Sequence, residues 1–244
     1  MVKKTAAVIL SLMVAAFAVP SAAEPLVLAE DLREEVRVDL NDNAQYIYSV
    51  CYPQVDSTDP SAELINAFYR YRAEDAMGFE IPMNADFYRS QGTVENVTVD
   101  ISYEVTCNGE DFFSVLICTR QGALTTYAGH TFSRKNIKPG SSVALPYLLG
   151  MLESEETDTW LQDRQTGKAD SIVREMVWDR MLDMDLKLRE DLTEENLEYA
   201  FFPEEDFYLD EEQQPVFYLQ PGFAEDSETL IVIPISVEEI LDEL

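Results

Sequence analysis

"VTVDISYEVTCNGEDFFSVLICT", residues 97–119, alternates apolar and polar side chains and then breaks at Asn108-Gly109. Alternation with a period of two is typical of a strand that rests one face on a core. An Asn-Gly pair between two such runs indicates a tight hairpin. The stretch therefore predicts two antiparallel strands, Val97–Cys107 and Phe112–Thr119, and a third strand, Ala123–Phe132, is expected to complete a meander.

The apolar face of this meander needs a cover, and a helix is predicted upstream of it. Four apolar residues recur there at helical spacing: Leu64, Ile65, Phe68 and Tyr71. Gly78 and Pro82 are expected to end this helix. Two short strands, Val36–Asp39 and Tyr46–Val50, are expected before it.

The second half of the chain predicts another mixture of helix and strand. A long helix is expected where seven apolar residues keep helical spacing: Ile172, Val173, Met176, Val177, Met181, Met184 and Leu188. Three strands should follow, at Phe207–Leu209, Val216–Leu219 and Leu230–Ile235. Ser236 and Glu239 have the spacing of a capping box that begins a short last helix. The predicted class is therefore α+β, with antiparallel sheets each covered by helices in two small modules packed together.

"FYLDEEQQPVFYL", residues 207–219, repeats Phe-Tyr-Leu on either side of an acidic connection. We interpret the two copies as neighbouring strands of a hairpin, with Phe and Leu on one face of each strand. Tyr208 and Tyr218 then point the other way together. Their face is a candidate contact surface for a partner.

The N-terminus reads as an export signal. Lys3-Lys4 precede the uncharged apolar run Ala6–Val19, and small residues follow at 21–23. The run is shorter than the ~20 residues that a spanning helix needs, which favours a cleaved signal peptide at 1–23 over an anchor. We expect a bacterial secreted or cell-envelope protein with no stable membrane span after cleavage, and a flexible lead-in at 24–35.

The acidic balance of the chain limits its partners. Forty-seven Asp and Glu against 17 Lys and Arg give a formal net charge of -30. Nucleic acid is excluded as a partner because phosphate binding needs clustered Lys and Arg. A basic partner, a cation-rich environment and simple solubility all fit this charge.

Cysteine, histidine and glycine patterns favour no metal, cofactor or catalytic site. Cys107 and Cys118 should lie far out of register, so a bridge from Cys51 to one of them and three free thiols both stay open. The lone His130 and three scattered Cys do not match a zinc site. There is no Gly-x-Ser-x-Gly elbow and no Gly-rich phosphate loop. Carboxylates are so numerous that an acidic catalytic pair is neither supported nor excluded.

Several short motifs occur in an order that resembles one known family, the extracellular region of RsiV-type anti-sigma factors. The first half contributes "YPQV" (52–55), "SYEV" (102–105) and "FSVLI" (113–117). The second half contributes "HTFSRKNIKPGSSVALPYLL" (130–149), "DFYL" (206–209), "VFYLQPGFAE" (216–225) and "IVIPISVEEI" (231–240). The resemblance covers about residues 44–244.

This resemblance implies an exported ligand-binding region and not an enzyme. It implies a PdaC-like module at 36–125 and an RsiV-type C-terminal module at 126–244. In that family the region binds lysozyme, a basic protein. The chain carries no anti-sigma segment and no deacetylase motif, so signalling and deacetylation are not supported.

Three functional hypotheses follow from the residues and the resemblance together. The leading one is a secreted non-catalytic binding protein of the bacterial cell envelope, with a basic protein such as lysozyme or a cell-wall glycan as partner. The alternatives are a peptidoglycan hydrolase or deacetylase that uses paired carboxylates, and an accessory module without its own ligand. No catalytic, metal or cofactor residue is expected. The candidate binding residues are Tyr127, His130, Tyr208, Tyr218, Phe223 and Glu225.

Overall fold

The computed structural model describes residues 24–135, 138–151, 159–184, 186–224 and 229–244. The expected signal peptide at 1–23 lies outside these residues. Eight strands and five α-helices make up the described chain, and the fold is α+β as predicted. The strands form one five-stranded and one three-stranded sheet.

The larger sheet has the strand order β1-β2-β3-β4-β5. Its strands are β1 (Leu32–Asp39), β2 (Gln45–Tyr52), β3 (Val97–Asn108), β4 (Phe112–Gln121) and β5 (Leu124–Ser133). The meander β3–β4–β5 is antiparallel, as the alternation predicts. Strands β2 and β3 pair in parallel, because the helices between them carry the chain back across the sheet before β3 begins.

Two helices cover one face of this sheet. Helix α1 (Ala62–Asp75) and helix α2 (Ile81–Ser90) are joined by a π-helical turn, Ala76–Glu80. The expectation that Gly78 and Pro82 end the helix is wrong. The helical backbone continues through the π turn that contains Gly78, and Pro82 lies in the first turn of α2. Tyr69 and Ile65 of α1 are fully buried against the sheet.

The predicted flexible lead-in at 24–35 is wrong for most of its length. Strand β1 begins at Leu32, and Leu28 pairs with Val55. The side-chain amide of Asn108 holds Leu26 by its N–H (2.7 Å) and by its carbonyl (3.0 Å), and Leu26 is buried. The apolar residues Leu26 and Leu28, two positions apart, account for this packing.

The smaller sheet lies on the other face of β4 and β5. It has the order β6-β7-β8, from β6 (Phe207–Leu209), β7 (Pro215–Leu219) and β8 (Ile231–Pro234). Helices α3 (Leu145–Leu148), α4 (Thr159–Asp183) and α5 (Val237–Glu243) pack around it. The doubled Phe-Tyr-Leu is the predicted hairpin, with Phe207 opposite Phe217.

The predicted start of the last helix is confirmed, and the predicted long helix is shorter than expected. Ser236 and Glu239 form the capping box of α5. Helix α4 ends at Asp183, so Met184 lies beyond it and is exposed, while Met181 is fully buried as predicted. The expected module boundary between 125 and 126 falls inside β5, whose residues to Ser133 all pair with β4.

The register of β3 and β4 excludes a disulfide between Cys107 and Cys118. Ser102 lies opposite Cys118 and Ser114 opposite Cys107, so these two thiols are too far apart to bridge. Cys51, Cys107 and Cys118 are all free thiols.

Candidate functional site

A cavity of about 470 Å³ opens at the outer edge of β5, where the two sheets meet. One wall is the backbone of β5 from Tyr127 to Thr131. The opposite walls are the loop 142–144 and the acidic run 204–206 that precedes β6. Three of the predicted binding residues, Tyr127, His130 and Tyr218, line this one cavity.

Tyr218 joins the hairpin to the edge of the larger sheet. Its hydroxyl accepts a hydrogen bond from the N–H of Gly129 (2.8 Å) and donates to the carbonyl of Glu205 (3.5 Å). The ring is stacked on Tyr208 at a centroid distance of 6.2 Å. Burial raises the pKa of Tyr218, and only 1% of the residue is exposed. The tyrosine face of the hairpin is therefore packed against β5 at Tyr218, and is not the open contact surface that alternation alone predicts.

Glycine at position 129 permits this close packing. A Cβ atom there would lie 1.8 Å from the carbonyl oxygen of Phe207, well inside van der Waals contact. Only a residue without a side chain lets the backbone of β6 approach β5 so closely. The cavity wall thus depends on Gly129.

The acidic wall consists of Glu204, Glu205 and Asp206. The carboxylate of Asp206 accepts a hydrogen bond from the N–H of Phe202 (2.8 Å), which fixes its orientation. Burial raises the pKa of Asp206 to about 6; the bond from Phe202 opposes this rise, and the charge of Glu205 adds to it. A partly protonated carboxyl group therefore lies in this wall near neutral pH.

A second buried carboxyl group supports the acidic wall from behind. Asp170 of α4 is 8% exposed and lies beside Glu204. Burial, then the negative charge of Glu204, raises the pKa of Asp170 to about 7. One oxygen of each of these two groups has no hydrogen-bond partner among the described residues. Such a pair is favoured when one proton is held between the two carboxyl groups.

The other side of the cavity is cationic and aromatic. Arg72 of α1 lies over the ring of Phe68, 5.4 Å from its centroid. The Tyr69 hydroxyl is hydrogen-bonded to Nδ1 of His130 at 3.2 Å. Burial, with a contribution from the charge of Arg72, lowers the pKa of His130 to about 3, so its imidazole is neutral at physiological pH.

Beyond His130 the cavity continues into an aromatic hollow of about 420 Å³. Arg72, Ala128 and His130 line both spaces. The hollow is walled by four further aromatic rings: Tyr48, Tyr52, Phe68 and Tyr71. A ligand that crosses the edge of β5 thus meets the carboxylates of 204–206 on one side. On the other side it meets aromatic rings, with Arg72, Asp75 and Glu80 also in the lining.

The remaining predicted binding residues lie elsewhere. Tyr208 is half-buried beside Tyr218, and Phe223 is 9% exposed in the core beneath the smaller sheet. Glu225 lies outside the described residues. Arg72 and the acidic run 204–206 were missed, although the run ends at Asp206, the first residue of the "DFYL" motif, and that position was the available signal.

The described residues contain no group of three or more His, Cys, Asp or Glu side chains placed to hold a metal ion. Over the same residues, no helix has the length and apolar character that crossing a bilayer requires.

Comparison with known proteins gave structural neighbours only. No protein-family model matches the sequence, and no curated protein matches it. A crystal structure of a DUF3298 family member from Bacteroides fragilis aligns with 90% of this chain and 94% of its own, at 13% identity and a TM-score of 0.49. A DUF3298 family protein from Pseudomonas aeruginosa aligns with 89% and 94%, at 10% identity and a TM-score of 0.45. Neither likeness assigns a function to this chain.

Proposed function

We propose that this chain is an exported, non-catalytic binding protein of the bacterial cell envelope that takes a basic protein at the β5 cavity. The observation that carries the proposal is the acidic wall of the cavity, Glu204–Asp206, set at the open edge of a sheet. A cationic side chain from a partner would find carboxylates there, in a concave site that is shielded from bulk water.

Two further points support a basic partner. The formal net charge of -30 creates a field that steers a positive protein toward this surface and raises its association rate. The sequence resembles the region by which RsiV-type proteins bind lysozyme, which makes a c-type lysozyme the first candidate. Aromatic rings beside the acidic wall offer apolar contact area next to the charge.

Calorimetry with a purified c-type lysozyme at low and high salt tests this proposal. We expect heat at low salt and a weaker complex at high salt, because salt screens the charges. The double variant Glu204→Gln/Glu205→Gln should weaken binding by roughly tenfold. Its matched control, Glu211→Gln/Glu212→Gln, removes the same charge from the exposed β6–β7 turn and should bind nearly as the parent does.

The absence of any complex at low salt would contradict the proposal for lysozyme. Equal weakening by both double variants would show that net charge, and not the cavity, determines binding.

One observation favours a second candidate, a cell-wall hydrolase. Asp206 has a raised pKa of about 6 and stands beside Glu205 in a concave site, which is the arrangement of a general acid with a carboxylate partner. Incubation with purified peptidoglycan and measurement of released reducing ends tests it. Release that Asp206→Asn abolishes would support a hydrolase, and no release by the parent would reject it. A chain that neither binds nor hydrolyses would be an accessory module.

A further inference from the structure

Strand β5 is an edge strand, yet most of its outward backbone groups are occupied. In an antiparallel pair, alternate residues direct both backbone groups away from the partner strand. Residues 127, 129 and 131 do so in β5, as their bonds show. The N–H of Tyr127 donates to the Gln220 side chain (2.9 Å) and its carbonyl accepts from the same amide (2.8 Å).

The two outward positions that follow are each half-occupied. The N–H of Gly129 donates to the Tyr218 hydroxyl (2.8 Å). The carbonyl of Thr131 accepts from the N–H of Val143 (2.8 Å). The carbonyl of Gly129 and the N–H of Thr131 have no partner among the described residues, and both residues line the cavity.

These two open groups lie on either side of His130. Thr131 is 3% exposed, and a buried backbone N–H is normally hydrogen-bonded. A free carbonyl and a free N–H that flank one residue are the pair that a parallel strand uses. One residue of an added extended peptide donates its N–H to the Gly129 carbonyl, and its own carbonyl accepts from the Thr131 N–H.

We propose that the Gly129 carbonyl and the Thr131 N–H, together the open step of the β5 edge, bind a short extended peptide segment in parallel. The peptide places an apolar residue opposite His130 and basic residues beside it. The inference rests on the proposed function, because it names what the partner presents to the same cavity.

The side-chain preference follows from the two faces of the sheet. A ligand residue paired with His130 points to the same face as His130, where Phe68 and Tyr71 line the aromatic hollow. The neighbouring ligand residues point to the opposite face, where β6 and its preceding carboxylates lie. An apolar side chain therefore suits the first position and Lys or Arg the two others.

Titration of the ¹⁵N-labelled protein with acetyl-Gly-Lys-Val-Lys-Gly-amide tests the inference. We expect the Thr131 amide proton to move downfield, since it gains an acceptor, and to give a saturable curve. The same peptide with Glu in place of both Lys should bind at least about tenfold more weakly.

A backbone-blocked peptide isolates strand pairing without altering the protein. Methylation of the valine nitrogen removes the N–H that would meet the Gly129 carbonyl, and it should weaken binding by about tenfold. Methylation of the second lysine nitrogen, which faces away from β5 in this register, is the matched control and should bind as the parent peptide does.

Three outcomes would overturn the inference: no saturable shift at Thr131, equal binding of both methylated peptides, or equal binding of the Lys and Glu peptides. Lysozyme calorimetry separates these failures from that of the proposed function. A lysozyme complex together with any of these three outcomes would leave the binding function in place and reject only strand pairing.

Discussion

One side chain, Gln220, occupies both outward backbone groups of Tyr127, donating to its carbonyl at 2.8 Å and accepting from its N–H at 2.9 Å. The amide of Gln220 thus stands where a neighbouring strand would pair. It closes one end of the β5 edge and sets a limit on the open step at Gly129 and Thr131.

Removal of the Gln220 amide should loosen this end of the edge. Gln220→Ala is expected to lower the free energy of unfolding by about 1–3 kcal/mol, since two hydrogen bonds of about 0.5–1.5 kcal/mol each are lost. Urea denaturation measures the loss, and hydrogen exchange at the Tyr127 amide should become faster. Gln91→Ala, at an exposed glutamine after α2, should change stability little. Equal stability of both variants would contradict this role of Gln220.

A side chain at position 129 should force the two sheets apart. Gly129→Ala places a methyl group 1.8 Å from the Phe207 carbonyl oxygen, and we expect a loss of about 1–3 kcal/mol in unfolding free energy. Gly167→Ala is the control, because no atom lies within 4 Å of its added Cβ on α4, and it should stabilise the protein by about 0.5–1 kcal/mol. Thermal unfolding of both variants gives the comparison, and an unchanged midpoint for Gly129→Ala would show that β6 moves freely.

The Ser114 hydroxyl connects the larger sheet to β6. It accepts a hydrogen bond from the Leu209 N–H (3.0 Å) and contacts the Thr131 hydroxyl (3.0 Å), all in a buried position. Ser114→Ala should cost about 1–3 kcal/mol of unfolding free energy, because a buried N–H loses its partner. Chemical denaturation measures it against Ser102→Ala, a half-buried position on β3. An equal loss of unfolding free energy in Ser114→Ala and Ser102→Ala would contradict this role of Ser114.

Stability should fall as pH rises through the range in which Asp170 titrates. Its folded pKa of about 7 exceeds the 3.8 of an ordinary aspartate, so between these values the folded state holds a proton that the unfolded state has released. The resulting loss between pH 4 and pH 8 is on the order of 2–4 kcal/mol. Urea midpoints across this range for the parent, for Asp170→Asn and for the exposed Asp179→Asn measure it.

Asp170→Asn should reduce this pH dependence to the smaller part that the raised pKa of Asp206 contributes, and it should raise stability at pH 8, because no charge then stands against Glu204. Asp179→Asn, on the same helix, should follow the parent curve. A parent curve that rises from pH 4 to pH 8 would contradict the shared proton.

Local pattern predicted the strands of the meander and the terminal hairpin. The alternation from Val97 to Cys107 and the turn at Asn108-Gly109 depend on neighbours in the chain, and both were confirmed. The same holds for Phe207 opposite Phe217. Contacts between residues that are close in the sequence can therefore be predicted from local pattern.

Contacts between distant segments could not be predicted in this way. The sequence of Tyr46–Val50 does not indicate that β2 pairs in parallel with β3. Alternation places Tyr218 on one side of β7, but the burial of that side depends on β5, which lies far away in the chain. Arg72 and Asp206 likewise line one cavity, and only the packing of the two sheets places them around it.

The hydrogen bonds that Gln220 and the segment 141–143 make to the edge of β5 also bear on the solubility of the protein. An uncovered edge strand is a template on which further chains can add until a fibre forms. Gln220 blocks one side of the open step and the segment 141–143 blocks the other, so a strand added between them finds only a single residue's worth of hydrogen bonds. This part of the edge can therefore accept one short guest and still end the ladder, which opposes the addition of further chains.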